Sequence, residues 1–309
     1  MEIFFQQILN GLLLGSMYAL IALGYTMVYG VLNLINFAHG DVLMIGAMAG
    51  LTILKFVNSV APDLPGIVKL IIAILGAIPV CVLVNIVIER VAYRPLRNAP
   101  RLAPLITAIG VSILLQTFAM MIWGRNPIAF PQVMPSEPFH VLGALISPTQ
   151  VMLLVLAAIS MGCLVWLVEK TKMGRAMRAT AENPRIAGLM GVDSNRVIVM
   201  TFAIGAALAA VAGVMWGATY ASAQFAMGFT PGLKAFSAAV LGGIGNIYGA
   251  MLGGILLGLI ESLGAGYIGE LTGGFLGSQY QDIFAFVVLI LVLTVRPSGL
   301  MGERVADRA

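Results

Sequence analysis

Asn33, Asn36, His39 and Asp41 fall within nine positions, "NLINFAHGD", at the end of a long apolar stretch. From Ile3 to Gly40 the chain carries no Lys, Arg, Asp or Glu. Short polar side chains of this kind bond exposed backbone groups where a helix is interrupted. Asn36, His39 and Asp41 can therefore anchor a break, with Gly40 easing the turn. The alternative is a water-exposed loop between two spans, with His39 at a helix end. A second interruption, "VLGGIGNIYGAMLGG", lies near the other end of the chain and contains Gly242, Gly243, Gly245 and Asn246. Many transporters place such a pair of broken helices in two halves of the fold, with the substrate path between them. The other reading of the glycines is close helix packing, which small residues permit in membranes. Glu261 is the one acid well inside a late apolar run, near its watery end, and reads as a hydrogen-bond partner.

The elements that must hold these residues are membrane helices. Sixty percent of the 309 residues are hydrophobic and ten percent are charged, against about 25% charged in an average soluble domain. Segment 102–123 has 22 residues without a charge, which as a helix spans roughly 33 Å, enough for the hydrocarbon core. Segments 8–30, 70–88, 149–168, 197–221, 247–268 and 281–295 are similar candidates. We expect an all-α polytopic protein with about eight or nine passes, forming a single transmembrane domain over 1–309. Broken or re-entrant helices are expected near 31–45 and 233–250.

Charge sets the orientation. Segment 89–101 has four Arg and one Glu, and 169–196 has six Lys or Arg and three acids. The tail after 295 adds Arg296, Arg304 and Arg308. The positive-inside rule puts these three in the cytoplasm and puts 124–148, 222–232 and 268–282 outside. Two passes must then fit between 222–232 and 269–280, although only 247–268 has full length. Segment 233–245 is expected to make the other pass as a half-helix, broken at "GGIGN". The first third lacks Lys and Arg before Lys55, so charge leaves the N-terminal side open.

Function classes narrow by what the sequence lacks. It has no phosphate loop of the G-x-x-x-x-G-K-[ST] type, no H-E-x-x-H and no G-x-S-x-G. Cys81 and Cys163 sit far apart in apolar runs and point to neither a disulfide nor a metal site. We expect no enzyme activity, no cofactor, no metal and no nucleic-acid binding. Transport remains, and with few ionisable groups in the spans the driving energy must come from elsewhere. Segment 170–196 is the candidate coupling region. It has Ala-rich helical stretches, Pro184 near a helix start with Asn183 as N-cap, and Gly188 and Gly191 ending the turn. A short amphipathic helix there fits a groove on a partner protein.

Five blocks together carry a resemblance: "GLLLGSMYALIALGYTMVYGVLNLINFAHGD", "ERVAYRPLR", "LITAIGVSILLQ", "GRAMRATAENPRIAGLMGVDSNRVIVMTFAIGAALAAVAGV" and "KAFSAAVLGGIGNIYGAMLGG". Nearly end to end, the chain resembles the permease subunits of bacterial branched-chain amino-acid ABC importers, and the first-named of their two permeases in particular. Urea importer permeases are also similar around "INFAHGD". The resemblance implies a multi-pass protein of the bacterial inner membrane that moves leucine, isoleucine or valine. The implied partners are a second permease, two cytoplasmic ATPases that hydrolyse the ATP, and a periplasmic binding protein. It also implies ATPase contact at Gly174, Arg175, Arg178, Glu182, Asn183, Gly188 and Gly191. The rival readings are a urea or amide importer, or an ion-coupled carrier that works alone.

Overall fold

The fold is that of a computed structural model, which describes residues 2–97, 99–100, 102–134, 137–141, 143–272 and 280–302. Helix α1 (Glu2–Leu32) is followed by a non-helical stretch and then α2 (His39–Val60) and α3 (Gly66–Ile88). Helix α3 continues through a π-turn, Glu89–Tyr93, into a 3-10 turn, Arg94–Leu96. Helix α4 (Leu102–Trp123), α5 (Pro148–Lys170), the short α6 (Lys172–Glu182) and α7 (Pro184–Leu189), and α8 (Ser194–Tyr220) follow. The chain closes with α9 (Phe229–Gly242), α10 (Ile247–Leu271) and α11 (Gln281–Val295). The four strands are very short: β1 (Ile128–Ala129) pairs with β4 (Ser222–Ala223), and β2 (Phe139–Val141) with β3 (Ala144–Ile146).

Seven helices are long and apolar enough to cross a bilayer, and α9 and α11 are shorter. With these two shorter helices the described residues are consistent with the eight or nine passes expected. The basic segments 89–97 and 169–196 lie at one end, where Arg97 donates to Asn195 Oδ1 (2.6 Å). The positive-inside rule makes that end cytoplasmic. Of the tail arginines, Arg304 and Arg308 lie outside the described residues, as do residues 273–279 of the outward segment 268–282. Helix α1 runs antiparallel to α8, since Tyr18 meets Trp216 while Gly24 meets Gly205. The Glu2 end is therefore outside, which charge alone left open. Gln6 there bonds the β2–β3 hairpin through both the N–H and C=O of Leu145.

Packing is close because small residues line the contacts. A Cβ on Gly258 would lie 2.2 Å from the Gly15 nitrogen, and one on Gly15 would lie 2.8 Å from Ile255 Cα. Small residues at Gly11, Gly15 and Gly258 thus weld α1 to α10. The same relation joins α8 to α2, where a Cβ on Gly213 would sit 2.2 Å from the Leu43 carbonyl. Asn85 of α3 donates to the Phe202 carbonyl of α8 (2.7 Å). Exchanging α1 with α8, α2 with α9 and α3 with α10 preserves the packing: α1 lies along α10 as α8 lies along α3. The two triplets also run in opposite directions, which is an inverted repeat.

Each half carries one interruption. In the first, Asn33 takes a left-handed φ of 52° and the chain stays non-helical through Ala38. The His39 ring packs against Gly24, so α2 starts about 12 Å back from the end of α1, at membrane depth. In the break expected near 31–45, Asn33 is exposed but Asn36 and residues 38–45 are buried, so Gly40–Asp41 is not a water-exposed loop. In the second half the interruption falls earlier than "GGIGN". Helix α8 ends at Ala221 (φ 53°), residues 222–228 turn back inward, and α9 starts beside Gly40. Segment 222–232 was expected outside, but only its first residues are there. The half-helix itself matches the expectation over 233–245. "GGIGN" is instead the tight cytoplasmic turn between α9 and α10, with Gly243 and Gly245 at φ 109° and 96°. Glycines mark that turn because it needs positive φ. The deeper break needs no such signal, because packing holds it.

This orientation is testable by labelling. In a chain with Asp63→Cys, in the α2–α3 turn, a membrane-impermeant maleimide added outside spheroplasts is expected to react. With Arg185→Cys it is expected to react only after permeabilisation. The reverse pattern overturns the orientation.

Candidate functional site

The two interruptions meet. Helix α2 begins His39–Gly40–Asp41, and α9 begins just after Gly228, with Gly232 on its first turn. A Cβ on Gly40 would lie 2.5 Å from the Gly228 carbonyl oxygen, and one on Gly228 would lie 2.1 Å from the Gly40 oxygen. Two helix N-termini thus abut at membrane depth on bare backbone. Each start carries a partial positive charge, and its first N–H groups are taken up locally: His39 donates to the Asn36 carbonyl (3.0 Å), Asp41 to the Ala38 carbonyl (3.0 Å) and Gly232 to the Gly228 carbonyl (2.9 Å). Asp41, 1% exposed, supplies negative charge in the first turn of α2 and accepts from Gln116 Nε2 of α4 (2.9 Å). Asn36 braces the extended stretch: its Oδ1 accepts from the Ala38 N–H (3.1 Å) and from the Tyr93 hydroxyl (2.8 Å). His39, also buried, stacks edge-on against Tyr25 with ring centroids 5.0 Å apart, and neither ring nitrogen makes a hydrogen bond of normal geometry. Of the four residues read from "NLINFAHGD", Asn36 bonds backbone as expected, Asp41 bonds a side chain on another helix, and His39 packs.

On the outer side of this junction is a cavity of about 340 Å³, between α1, α8, α9 and α10. Tyr18, Trp216 and Tyr220 wall it, and Thr230, Lys234 and Glu261 complete its lining. Lys234 and Glu261 form a buried ion pair joining α9 to α10. The Lys234 ammonium also lies 5.9 Å from the centroid of the Tyr18 ring, within cation–π range. Sequence reading missed Lys234, Tyr18, Trp216 and Tyr220. The available signal was a lone Lys in the apolar helix 229–242 and a Glu well inside the helix that follows it. Glu261 is a hydrogen-bond partner as expected, but it is 1% exposed and not at a hydrated interface.

Gly242, Gly243, Gly245 and Asn246 are away from both features. They lie at the cytoplasmic end, where a Cβ on Gly242 would meet the Gly249 carbonyl at 1.8 Å and one on Gly243 would meet the Gly302 nitrogen at 2.4 Å. Asn246 caps α10 by accepting from the Gly249 N–H (3.0 Å) and donates to the Met301 carbonyl (3.0 Å).

The cytoplasmic face is built from caps. Thr171 starts α6 by accepting from the Gly174 N–H (3.2 Å). Arg178 closes the end of α5 by donating to the Val168 carbonyl. A Cβ on Gly174 would sit 1.9 Å from that carbonyl oxygen. Asn183 caps α7, accepting from the N–H groups of Arg185 and Ile186 (3.0 and 3.1 Å), and Gly191 takes φ 84° beyond it. Gly174 is buried and shapes the segment from within, and Arg178 is tied to it through the Val168 carbonyl, whereas Arg175, Glu182 and Gly188 are exposed without such a bond to the segment. At its tip Leu189 and Met190 are 87% and 80% exposed. Behind it, buried Glu89 pairs with Arg97.

The junction yields a steric prediction. Gly40→Ala should destabilise the protein by about 2 kcal/mol, as overpacking does. Gly110→Ala, whose Cβ meets open space, should be neutral. Thermal unfolding of the detergent-extracted protein reads both, and equal melting temperatures would sink the tight junction.

Residues 7–293 match the family described as the permease component of the branched-chain amino acid transport system. The chain is 44% identical over 308 residues to the high-affinity branched-chain amino acid transport system permease protein BraD of Pseudomonas aeruginosa, covering 97% of this chain and 96% of that one. It is 44% identical over 307 residues to the corresponding protein LivH of Escherichia coli K12, with the same coverage. A probable LivH of Methanocaldococcus jannaschii is 30% identical, covering 96% of this chain and 92% of the relative. With the family matched across nearly its whole length, this chain belongs to the branched-chain amino acid transport permease family.

Proposed function

We propose that this chain is one of two permease subunits of an ABC importer that carries leucine, isoleucine and valine across a bacterial inner membrane. The end-to-end similarity to BraD and LivH carries this reading. A second, related permease completes the path, a periplasmic binding protein delivers the amino acid, and two cytoplasmic ATPases hydrolyse the ATP. This chain is not itself an enzyme and needs no cofactor. Its 1–309 span acts as one membrane domain with the coupling segment at 170–196.

The coupling segment supports docking on the ATPases. Leu189 and Met190 present apolar side chains to water at the tip, while Arg175 and Glu182 flank them on α6. Gly174, Arg178, Asn183, Gly188 and Gly191 give the segment its shape. Motion reaches the membrane through α8, which starts directly after the segment and packs on α2. Closing of the ATPases shifts α2 and α9 about their shared junction, in a rigid-body alternation of access. Asn36, His39, Gly40 and Asp41 hold the midplane end of the path. Gly242, Gly243, Gly245 and Asn246 belong to its cytoplasmic mouth.

Radiolabelled leucine uptake tests this in proteoliposomes holding both permeases, the two ATPases and the binding protein. ATP-dependent uptake is the expected result. Uptake by this chain alone on a proton or sodium gradient would establish the carrier instead, and urea capture by the binding protein would establish the urea importer. The double variant Arg175→Ala with Glu182→Ala should keep ATP hydrolysis and assembly but lose most uptake. Normal uptake in that variant removes the coupling assignment. His39→Ala should insert normally and transport less; full activity would leave His39 a packing residue.

A further inference from the structure

The outer cavity has a chemistry that neither the packing of the helices nor the attachment of ATPases requires. Its floor holds a cation and an anion side by side, Lys234 and Glu261, at membrane depth. Removing two charges from water is costly, and their mutual attraction rarely repays it beyond what an apolar pair would give. Ionisable groups kept inside a membrane protein generally mark a substrate path. The lining suits charges of both signs. Thr230 and Pro231, on the first turn of α9, also face the cavity, so Lys234 and a helix N-terminus favour negative charge. Glu261 and the rings of Tyr18 and Trp216, in the same lining, favour a cation. Leu14 and Met227 supply apolar wall. Tyr220, half-exposed, stands at the outer end of α8 beside the mouth.

The geometry points to a transit site for a zwitterionic α-amino acid with an apolar side chain, held between Lys234 and Glu261 in this cavity. The ligand carboxylate takes the Lys234 ammonium and the α9 N-terminus. The ligand ammonium takes Glu261 and the aromatic faces. The side chain rests on Leu14, Met227 and Trp216. The ion pair opens as the ligand enters, exchanging one charge pairing for two. When the ligand leaves, the pair re-forms and closes the floor, so neither charge is left alone in the low-dielectric interior. This deepens the importer reading and rests on it. It predicts recognition of both ends of the amino acid by the membrane subunit itself, in addition to recognition by the binding protein.

The test separates a ligand site from a structural staple. In the complete importer, Lys234→Met and Glu261→Gln each leave one buried charge and should lower both stability and uptake. The double variant Lys234→Met with Glu261→Met removes both charges, and its melting temperature should return to within a few degrees of the parent. Its ATP-driven leucine uptake should remain about tenfold or more below the parent, as for a site that has lost its polar partners. If uptake in the double variant equals that of the parent, the pair is a staple and the site is overturned. A second measurement does not depend on that variant. Without binding protein, millimolar L-leucine should change the tryptophan fluorescence of the parent complex in nanodiscs, and Trp216→Phe should remove the change. Isopentylamine, which lacks the carboxylate, and 4-methylpentanoate, which lacks the ammonium, should produce little change. Equal responses to all three, or none to leucine, overturn the zwitterion assignment. Failure of the parent to take up leucine with ATP would instead remove the importer reading, which keeps the two failures distinct.

Discussion

Two helices that begin inside the membrane must have their first N–H groups covered by protein, because lipid offers no acceptors. Much of this structure follows from how that need is met. Helices α2 and α9 start against each other, and Gly40, Gly228 and Gly232 let the backbones touch. In the stretches that feed them, 33–38 and 222–228, Asn36, Ala38, Ala223, Met227 and Gly228 are buried, and β1 pairs with residues 222–223. Asp41 adds a compensating charge, and Gln116 fixes it in place. Any larger residue at the glycines would separate the helices and expose what they hide.

The same junction explains the inverted repeat. One triplet runs inward, breaks and returns outward, and the other does the reverse. Each long first helix packs on the third helix of the other half, so neither half is a separate bundle. A movement of α2 therefore cannot leave α9 in place. The outer cavity sits where the second interruption bends away from α8, and the Lys234–Glu261 pair ties that half-helix to α10. A device that moves α9 therefore also moves one wall of the cavity.

The cytoplasmic face combines rigidity with exposed apolar surface. Thr171, Asn183 and Asp193 each cap a helix, and the Arg178 bond to Val168 locks α6 under α5. Leu189 and Met190 then project from a fixed base. Stiffness is what a lever needs if a partner's motion is to arrive undiminished at α8.

Much of the fold is legible in the sequence because its causes are local. Uncharged runs of membrane length gave the spans, and arginine-rich segments gave their orientation. Asn183 before Pro184 gave a helix start that the structure bears out bond for bond. The polar cluster ending in Asp41 marked an interruption, and the burial of Asn36, His39 and Asp41 decided between a break inside the fold and a loop in water. What tertiary structure decided are pairings between residues far apart in the chain. Gly40 meets Gly228, Lys234 meets Glu261, and Asp41 meets Gln116. The break at 222–228 carries a single glycine, Gly228, too weak a signal in a chain this rich in glycine, whereas the glycines of 242–246 mark only a tight turn. Hydropathy and capping act within a few residues, so the sequence alone determines which segments cross and how they end. Which charges and glycines face each other depends on the rotation and depth of whole helices, and only packing sets those.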